Sequence, residues 1–367
     1  MSGNRDFIIR TGEGPARFSG VLVVGRGMRV AETADGLPEL VGVQDDVVLE
    51  PSGGDDAAAL NAALERHRRV RLAAGTFLLG ATVTVPGGRR LAGDGPGRTV
   101  LQADHAANVL TLSGTGAEQT TVEGMTIDGA TSRPIGQTGI AVVAGSSTAL
   151  TLRDLAVDDC GGHGVHVQSA SRALVSNLTV ARSRGVGLLV SGTQAVCEGV
   201  QVLESESHGI QVVGVWLSRL SALRVFACQF GIEVQNASRT VIENAQVREA
   251  EQGIVLSASS QVVLNACLTE MSYRVGLWIS GGAGHVVNGF VSDQSQLSST
   301  FYTHVRVTEL PYDPASEIVF MGCRKVNWHN GAPDYEVDVS TAGARVVFIQ
   351  HNFDPARINS GGNFASL

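Results

Sequence analysis

Several absences narrow the chain before any motif is considered. There is no run of about 18 apolar residues, so the sequence offers no membrane-spanning helix. Aromatic residues make up 5% and charged residues 17%, the latter below the usual share of about a quarter. The five cysteines, Cys160, Cys197, Cys228, Cys267 and Cys323, form no Cys-x-x-Cys pair and match no zinc spacing. They read as reduced core residues. A formal net charge of −8 gives no nucleic-acid footprint and leaves a polyanionic substrate only a local basic patch to use. The opening Met-Ser-Gly-Asn-Arg-Asp lacks the apolar stretch of a secretory signal, which points to a cytoplasmic protein. A secreted form whose signal has been removed stays open.

What is abundant is glycine, at 45 residues, together with valine and alanine, a mixture that suits buried sheet and tight turns. Seven segments carry a glycine followed by an apolar-x-apolar stretch. They are Gly139-Ile-Ala-Val, Gly164-Val-His-Val, Gly187-Leu-Leu-Val, Gly209-Ile-Gln-Val, Gly231-Ile-Glu-Val, Gly253-Ile-Val-Leu and Gly276-Leu-Trp-Ile. The glycines are 25, 23, 22, 22, 22 and 23 residues apart. A polar turn and two further short strands follow each segment. A rung of three short strands without a helix predicts an all-β, right-handed parallel β-helix of about ten rungs. Leucine-rich spacing is absent, and a propeller blade would be about 40 residues long.

The remaining organisation follows. Residues 1–50 are a lead-in or packing segment with strand character at 21–24 and 41–49. Residues 51–105 hold a capping helix, expected over 57–69, and the first rungs. Asp55 or Asp56 suits its N-cap, and Ala58, Leu60, Ala63 and Leu64 suit one apolar face. Residues 106–310 are the regular β-helix, and 311–367 are irregular rungs and a cap, with 352–367 covering the open end. Strands are expected at 305–307, 318–320, 335–339 and 346–349, with looser chain at 297–302 and 310–316. Asn177, Asn244, Asn265 and Asn288 are expected to stack as an amide ladder at a turn.

Strand alternation places Ile and Val of each Gly-Ile-x-Val inward and x outward. The outward row then reads Ala141, His166, Leu189, Gln211, Glu233, Val255, Trp278 and Arg306. His163 and His208 precede their rung glycines at the edge of that row, and Arg274 has a similar place lower down. Histidine is a suitable acid or base near neutral pH. His166, His208 and Glu233 are therefore the candidate catalytic residues. His163, Gln211, Trp278, Arg274 and Arg306 are the candidate substrate-binding residues, with Trp278 as a stacking platform and an arginine neutralising developing charge. The bland alternative is a solvated β-helix face with its polar residues there for solubility.

The stretch from Gly53 to Leu101 resembles the entry of the pectate-lyase-like β-helix superfamily. The residues that carry this are Asp55-Asp56, the Ala-rich helix, Val70-Arg-Leu-Ala-Ala-Gly-Thr-Phe77 and Leu91-Ala-Gly-Asp-Gly-Pro-Gly97. The superfamily holds lyases, C5-epimerases, hydrolases, fructotransferases and phage tailspikes, so the resemblance implies fold and leaves activity open. Its enzymes usually work on the outer face of one sheet. Asp158-Asp159-Cys160 and Gly162-His163-Gly164 look like polygalacturonase signature pieces. Here they share one rung and the companion motifs are absent, which argues against inverting hydrolysis.

The leading expectation is a carbohydrate-active enzyme of the lyase or epimerase type, or one transferring a glycosyl group. An intracellular isomerase or cyclase acting on a small molecule is the alternative, and a non-catalytic trimeric module is a third. The partner is an acidic carbohydrate or a small molecule, with neither nucleic acid nor membrane and with a homo-oligomer, dimer or trimer, left open. No cofactor is expected. His163, His166 and His208 are too far apart along the axis for zinc. Ca2+ is a minor alternative, since Asp158, Asp159 and Glu204 are scattered rather than stacked.

Overall fold

The computed structural model describes residues 5–11, 14–20, 28–32, 38–42, 46–114, 119–129, 134–144, 149–170, 172–192, 194–293, 303–308, 317–326, 337–339, 345–353, 358–360 and 364–366. Side chains are described from residue 46 onward, apart from 114, 142–144, 169–170, 326, 360 and 364–366.

Four strands precede the coil: β1 (Arg5–Thr11), β2 (Gly14–Gly20), β3 (Met28–Glu32) and β4 (Pro38–Gly42). They form one sheet in the order β2-β1-β4-β3, with β1 antiparallel to β2, β3 antiparallel to β4 and β1 parallel to β4. The strand expected at 21–24 lies outside the described residues.

From Asp46–Leu49 a 31-stranded sheet winds on itself for about eleven turns, every strand pair parallel. Each turn supplies three faces. Face A runs from Val83–Pro86 and Leu110–Gly114 through the Gly-Ile-x-Val segments to Ile358–Ser360. Face B follows it, from Arg69–Leu72 and Arg90–Ala92 to Phe364–Ser366. Face C starts at Gly75–Leu79 and Thr99–Ala103 and ends at Arg324–Val326. Inward residues are almost all aliphatic and fully buried, as with Ile210, Val212, Ile232, Val234, Ile254 and Leu256. Each such burial stabilises by about 1.5–3 kcal/mol relative to exposure. A parallel coil buries its strands only because successive turns share one core, which is why the 22-residue period carries the fold.

Two features of the corners explain the sequence pattern. The repeat glycine sits where face C turns into face A. A Cβ on Gly209 would lie 2.2 Å from Val225 Cγ1 and 2.8 Å from the Gly231 carbonyl oxygen, so the position is set by space. At the corner from B to C, one residue per turn adopts a left-handed conformation. Asp154, Asn177, Gly199, Ala222, Asn244, Ala266, Gly289 and Gly322 have φ between 49° and 64°. Glycine and asparagine tolerate that region, and alanine is strained in it.

This corner corrects the asparagine ladder. Asn177 and Asn244 occupy the left-handed position, whereas Asn265 and Asn288 sit one residue earlier, paired in register with Glu243. The four therefore form two columns. The left-handed Asn177 amide donates to Asp154 Oδ1 at 2.9 Å, one turn away.

The helix α1 (Ala57–Arg66) caps the coil's start and is three residues shorter than expected, because Arg69 already pairs with Asp46 as strand. Its buried face is Ala57, Leu60, Ala63 and Leu64; Ala58 points to solvent, since the i, i+3, i+7 spacing runs through Ala57. Asp56 is the N-cap, but its carboxylate accepts Ser52 N–H. Asp55 Oδ1 accepts Ala57 N–H at 3.0 Å and Gly80 N–H at 2.9 Å, tying the helix start to the coil. At the far end, Ile358–Ser360 and Phe364–Ser366 extend faces A and B. Residues 297–302 and 310–316 lie outside the described residues, as do 335 and 336 of the expected 335–339 strand.

Candidate active site

The outward row of face A is continuous in register. Thr111 pairs Ala141, then His166, Leu189, Gln211, Glu233, Val255, Trp278 and Arg306 follow, and Asp338 and Asn359 extend it. Beside it runs a second row, the residues just before each glycine position: His208, Phe230, Gln252, Val275 and Thr303. Adjacent turns are about 4.8 Å apart. The row from His166 to Arg306 therefore spans six steps, roughly 29 Å. It is too long to be one first contact shell, and the side chains divide it into three groups.

The upper group is His163 and His166, whose rings meet edge to face at 5.4 Å. His163 Nδ1 accepts Val186 N–H at 3.0 Å, so the neutral ring carries its proton on Nε2. Burial holds His163 below the usual imidazole range, with His166 adding to the effect, and burial does the same for His166.

The middle group is the tightest. His208 Nε2 lies 3.0 Å from Glu233 Oε2, and Gln211 Nε2 donates to the same oxygen at 2.7 Å. The hydrogen bond from His208 is the main cause that holds Glu233 below the usual carboxylate range; burial opposes it, and Gln211 assists. An ionised carboxylate requires the proton of His208 on Nε2, which leaves Nδ1 as the basic nitrogen. Ser207 Oγ stands 2.9 Å from Nδ1. Phe230 stacks on the imidazole at 4.4 Å and 15°, fixing the ring plane. Both His208 and Glu233 keep under a fifth of their side chains exposed, at 17% and 18%.

The lower group is Trp278, Arg306, Asp338 and Asn359. Trp278 Nε1 donates to Thr308 Oγ1 at 2.9 Å, which fixes the indole. Arg306 Nε lies 3.4 Å from Asp338 Oδ2, and Asn359 Nδ2 donates to the other Asp338 oxygen at 2.9 Å. Arg274 is largely exposed, 2.8 Å from Glu251. Both candidate charge neutralisers are thus matched with carboxylates of their own. Val255 and the buried Gln252 separate this group from Glu233.

The polygalacturonase-like fragment lies elsewhere. Asp158 ends a face C strand and Asp159 occupies a left-handed corner with φ 53°, and Arg182 pairs with both. Asp128 is the neighbour of Asp158 in register, and burial raises both carboxyls above their usual range. Among the described residues, no group of three His, Cys, Asp or Glu is placed to hold a metal ion. All five cysteines are buried free thiols, and burial pushes Cys160 and Cys197 up to about 12.

Ser207, Phe230 and Asp338 escaped the sequence reading, although the repeat marked them. Phe230 fills the slot before Gly231 that His208 fills before Gly209, and Asp338 is the outward member of an alternating strand.

The coil, its corner glycines and the outward ladder of face A define a right-handed parallel β-helix protein. A family model described as a right-handed beta helix region matches residues 114–291. The chain thus has the right-handed parallel β-helix fold. Among solved structures, the A-module of mannuronan C-5 epimerase AlgE4 from Azotobacter vinelandii is 14% identical over 80% of this chain and 96% of its own, with a TM-score of 0.53. The Dettilon tailspike protein is 13% identical over 89% and 70%, with a TM-score of 0.64. A catalytic domain of a GH87 alpha-1,3-glucanase is 12% identical over 87% and 67%, with a TM-score of 0.57. These likenesses establish the fold. No curated protein matches the sequence.

Proposed function

We propose that this protein is a carbohydrate-active enzyme working on face A, with His208 and Glu233 as the proton-transfer pair. The reading rests on one observation, the 3.0 Å contact between His208 Nε2 and a Glu233 carboxylate that Gln211 also holds. Glu233 keeps the imidazole in the tautomer whose Nδ1 accepts a proton. A proton taken by Nδ1, directly or through Ser207 Oγ, leaves an imidazolium against an ionised carboxylate, which lowers its cost. Abstraction of the proton beside a sugar carboxylate, the lyase or epimerase reaction, is the use this pair suits best. In glycosyl transfer the same His208 serves as the acid. The presence of a mannuronan epimerase and an alpha-1,3-glucanase among proteins of the same fold supports a carbohydrate ligand.

The test is a panel of acidic and neutral oligosaccharides, read by unsaturated-uronate absorbance, by epimer ratio and by new reducing ends. His208→Ala and Glu233→Gln should each abolish the turnover that wild type shows. Full turnover in either variant would remove the pair from the mechanism.

A second reading has its own observation. On the outside of face B, Leu174, Val196, Val241, Val263, Val286, Val319 and Val347 stand in one register, broken only by Arg219. Leu174 and Val196 are each 39% exposed. An outward valine stripe of this length suits self-association of a binding or structural β-helix. Sedimentation of wild type against Val241→Lys checks it: an oligomer that dissociates in the variant supports this reading, and a wild-type monomer removes it.

A further inference from the structure

Across the corner from face A to face B runs a cavity of about 410 Å3, lined by Trp216, Ser238, Arg239, Ser260, Gln261 and Glu317, among others. It crosses the turns that carry Gln211, Glu233, Val255, Trp278 and Arg306. Its floor is in register, with Trp216 paired to Ser238 and Ser238 to Ser260. Ser238 is five residue steps along the chain from Glu233, so the path between them is at most about 17 Å.

Three features set this cavity apart from an ordinary corner. Trp216 lines this concave site with 47% of its surface exposed. An indole in that position is a costly way to shape a turn and a good platform for a flat, partly apolar ring. The floor beside it is built of hydroxyls and an amide. Arg239 Nε donates to the neutral Gln261 Oε1 at 3.1 Å, and no carboxylate pairs with it among the described residues. This contrasts with Arg306 and Arg274 on face A, which face Asp338 and Glu251. Arg239, on the turn next to that of Trp216, therefore keeps its charge for a ligand. Glu317 is at the other end of the cavity, where it repels a second anionic group.

We propose that Trp216 and Arg239 form a binding subsite for a sugar ring carrying an anionic group, a carboxylate or a sulfate ester. The ring stacks on the indole, and the guanidinium takes the charge. The inference rests on the carbohydrate reading above and deepens it. It places a recognition element for an acidic glycan outside the ladder, so that the chain reaching His208 and Glu233 is an oligosaccharide or polymer rather than a single small molecule.

Affinity electrophoresis tests this with gels containing polygalacturonate, dextran sulfate or neutral dextran. Wild type should be retarded by at least one acidic polymer and not by dextran. Trp216→Ala should weaken that retardation about tenfold, the loss of one aromatic stacking contact. Arg239→Gln should weaken it by a similar factor and flatten its salt dependence. Trp216→Phe should recover most of it, and polygalacturonate against dextran sulfate distinguishes carboxylate from sulfate. Equal retardation on dextran, no retardation on any gel, or retardation unchanged by Trp216→Ala or Arg239→Gln would overturn the subsite. Glu233→Gln should be retarded like wild type. Its turnover is measured separately, so failure of the subsite and failure of the His208–Glu233 pair give different results.

Discussion

His208 and Glu233 sit on successive turns, in different rows of face A, and meet at 3.0 Å because the imidazole reaches diagonally across one rung. Phe230, directly beside His208 in register, blocks the ring from swinging away along its own row.

The pair has a definite pH signature. Glu233 titrates below its usual range in the folded protein. A depressed folded value means that the stabilisation is present at neutral pH and is lost as pH falls through that value. Wild type should therefore lose more unfolding free energy than Glu233→Gln between about pH 7 and pH 3. Denaturant unfolding across that range measures it, and parallel curves would show that the carboxylate is not held low.

His163 and His166 act in the same direction for a different reason. Burial favours their neutral forms, so the unfolded chain binds more protons as pH drops below about 6.5. The protein should gain stability as pH rises through that value. In the double variant His163→Gln, His166→Gln the gain should shrink, as followed by melting temperature in matched buffers.

The repeat glycine is a matter of space. Gly209→Ala brings its Cβ to 2.2 Å from Val225 Cγ1 and forces the corner open. Overpacking of this kind costs about 1–3 kcal/mol. A lowered denaturant midpoint with a nearly unchanged slope is the expected result.

The opposite change should help at the next corner. Ala222 holds φ 52° with no side-chain hydrogen bond to reward it. Ala222→Gly relieves that strain, and after the entropy of a freer unfolded chain a net gain of about 0.5–1 kcal/mol remains. A lower midpoint would mean that the Ala222 methyl packs better than its conformation suggests.

Glu123 on face B is 5% exposed and carries Arg90 on one side and Arg153 on the other. Glu123→Gln leaves two guanidiniums without their shared carboxylate and should cost about 1–3 kcal/mol. Adding salt should narrow the difference from wild type, because both arginines are half exposed.

The sequence alone determined the coil, its period and the outward ladder. A two-residue alternation inside a 22-residue repeat permits only one side of each strand to face the core. That is why Ala141 through Arg306 could be written in order and lie in register. Periodicity does not report side-chain reach. Only the tertiary structure decided that His208 bonds Glu233 while His163 and His166 pair with each other, that Arg306 belongs to Asp338, and that the asparagines divide between two columns. Those outcomes depend on rotamers, on the left-handed residue at each corner from B to C and on partners a full turn away. Trp216 and Arg239 show the same limit. Their corners have no strand pattern to announce them, and only the stacking of successive corners brings an exposed indole and an arginine with no carboxylate partner among the described residues to one cavity.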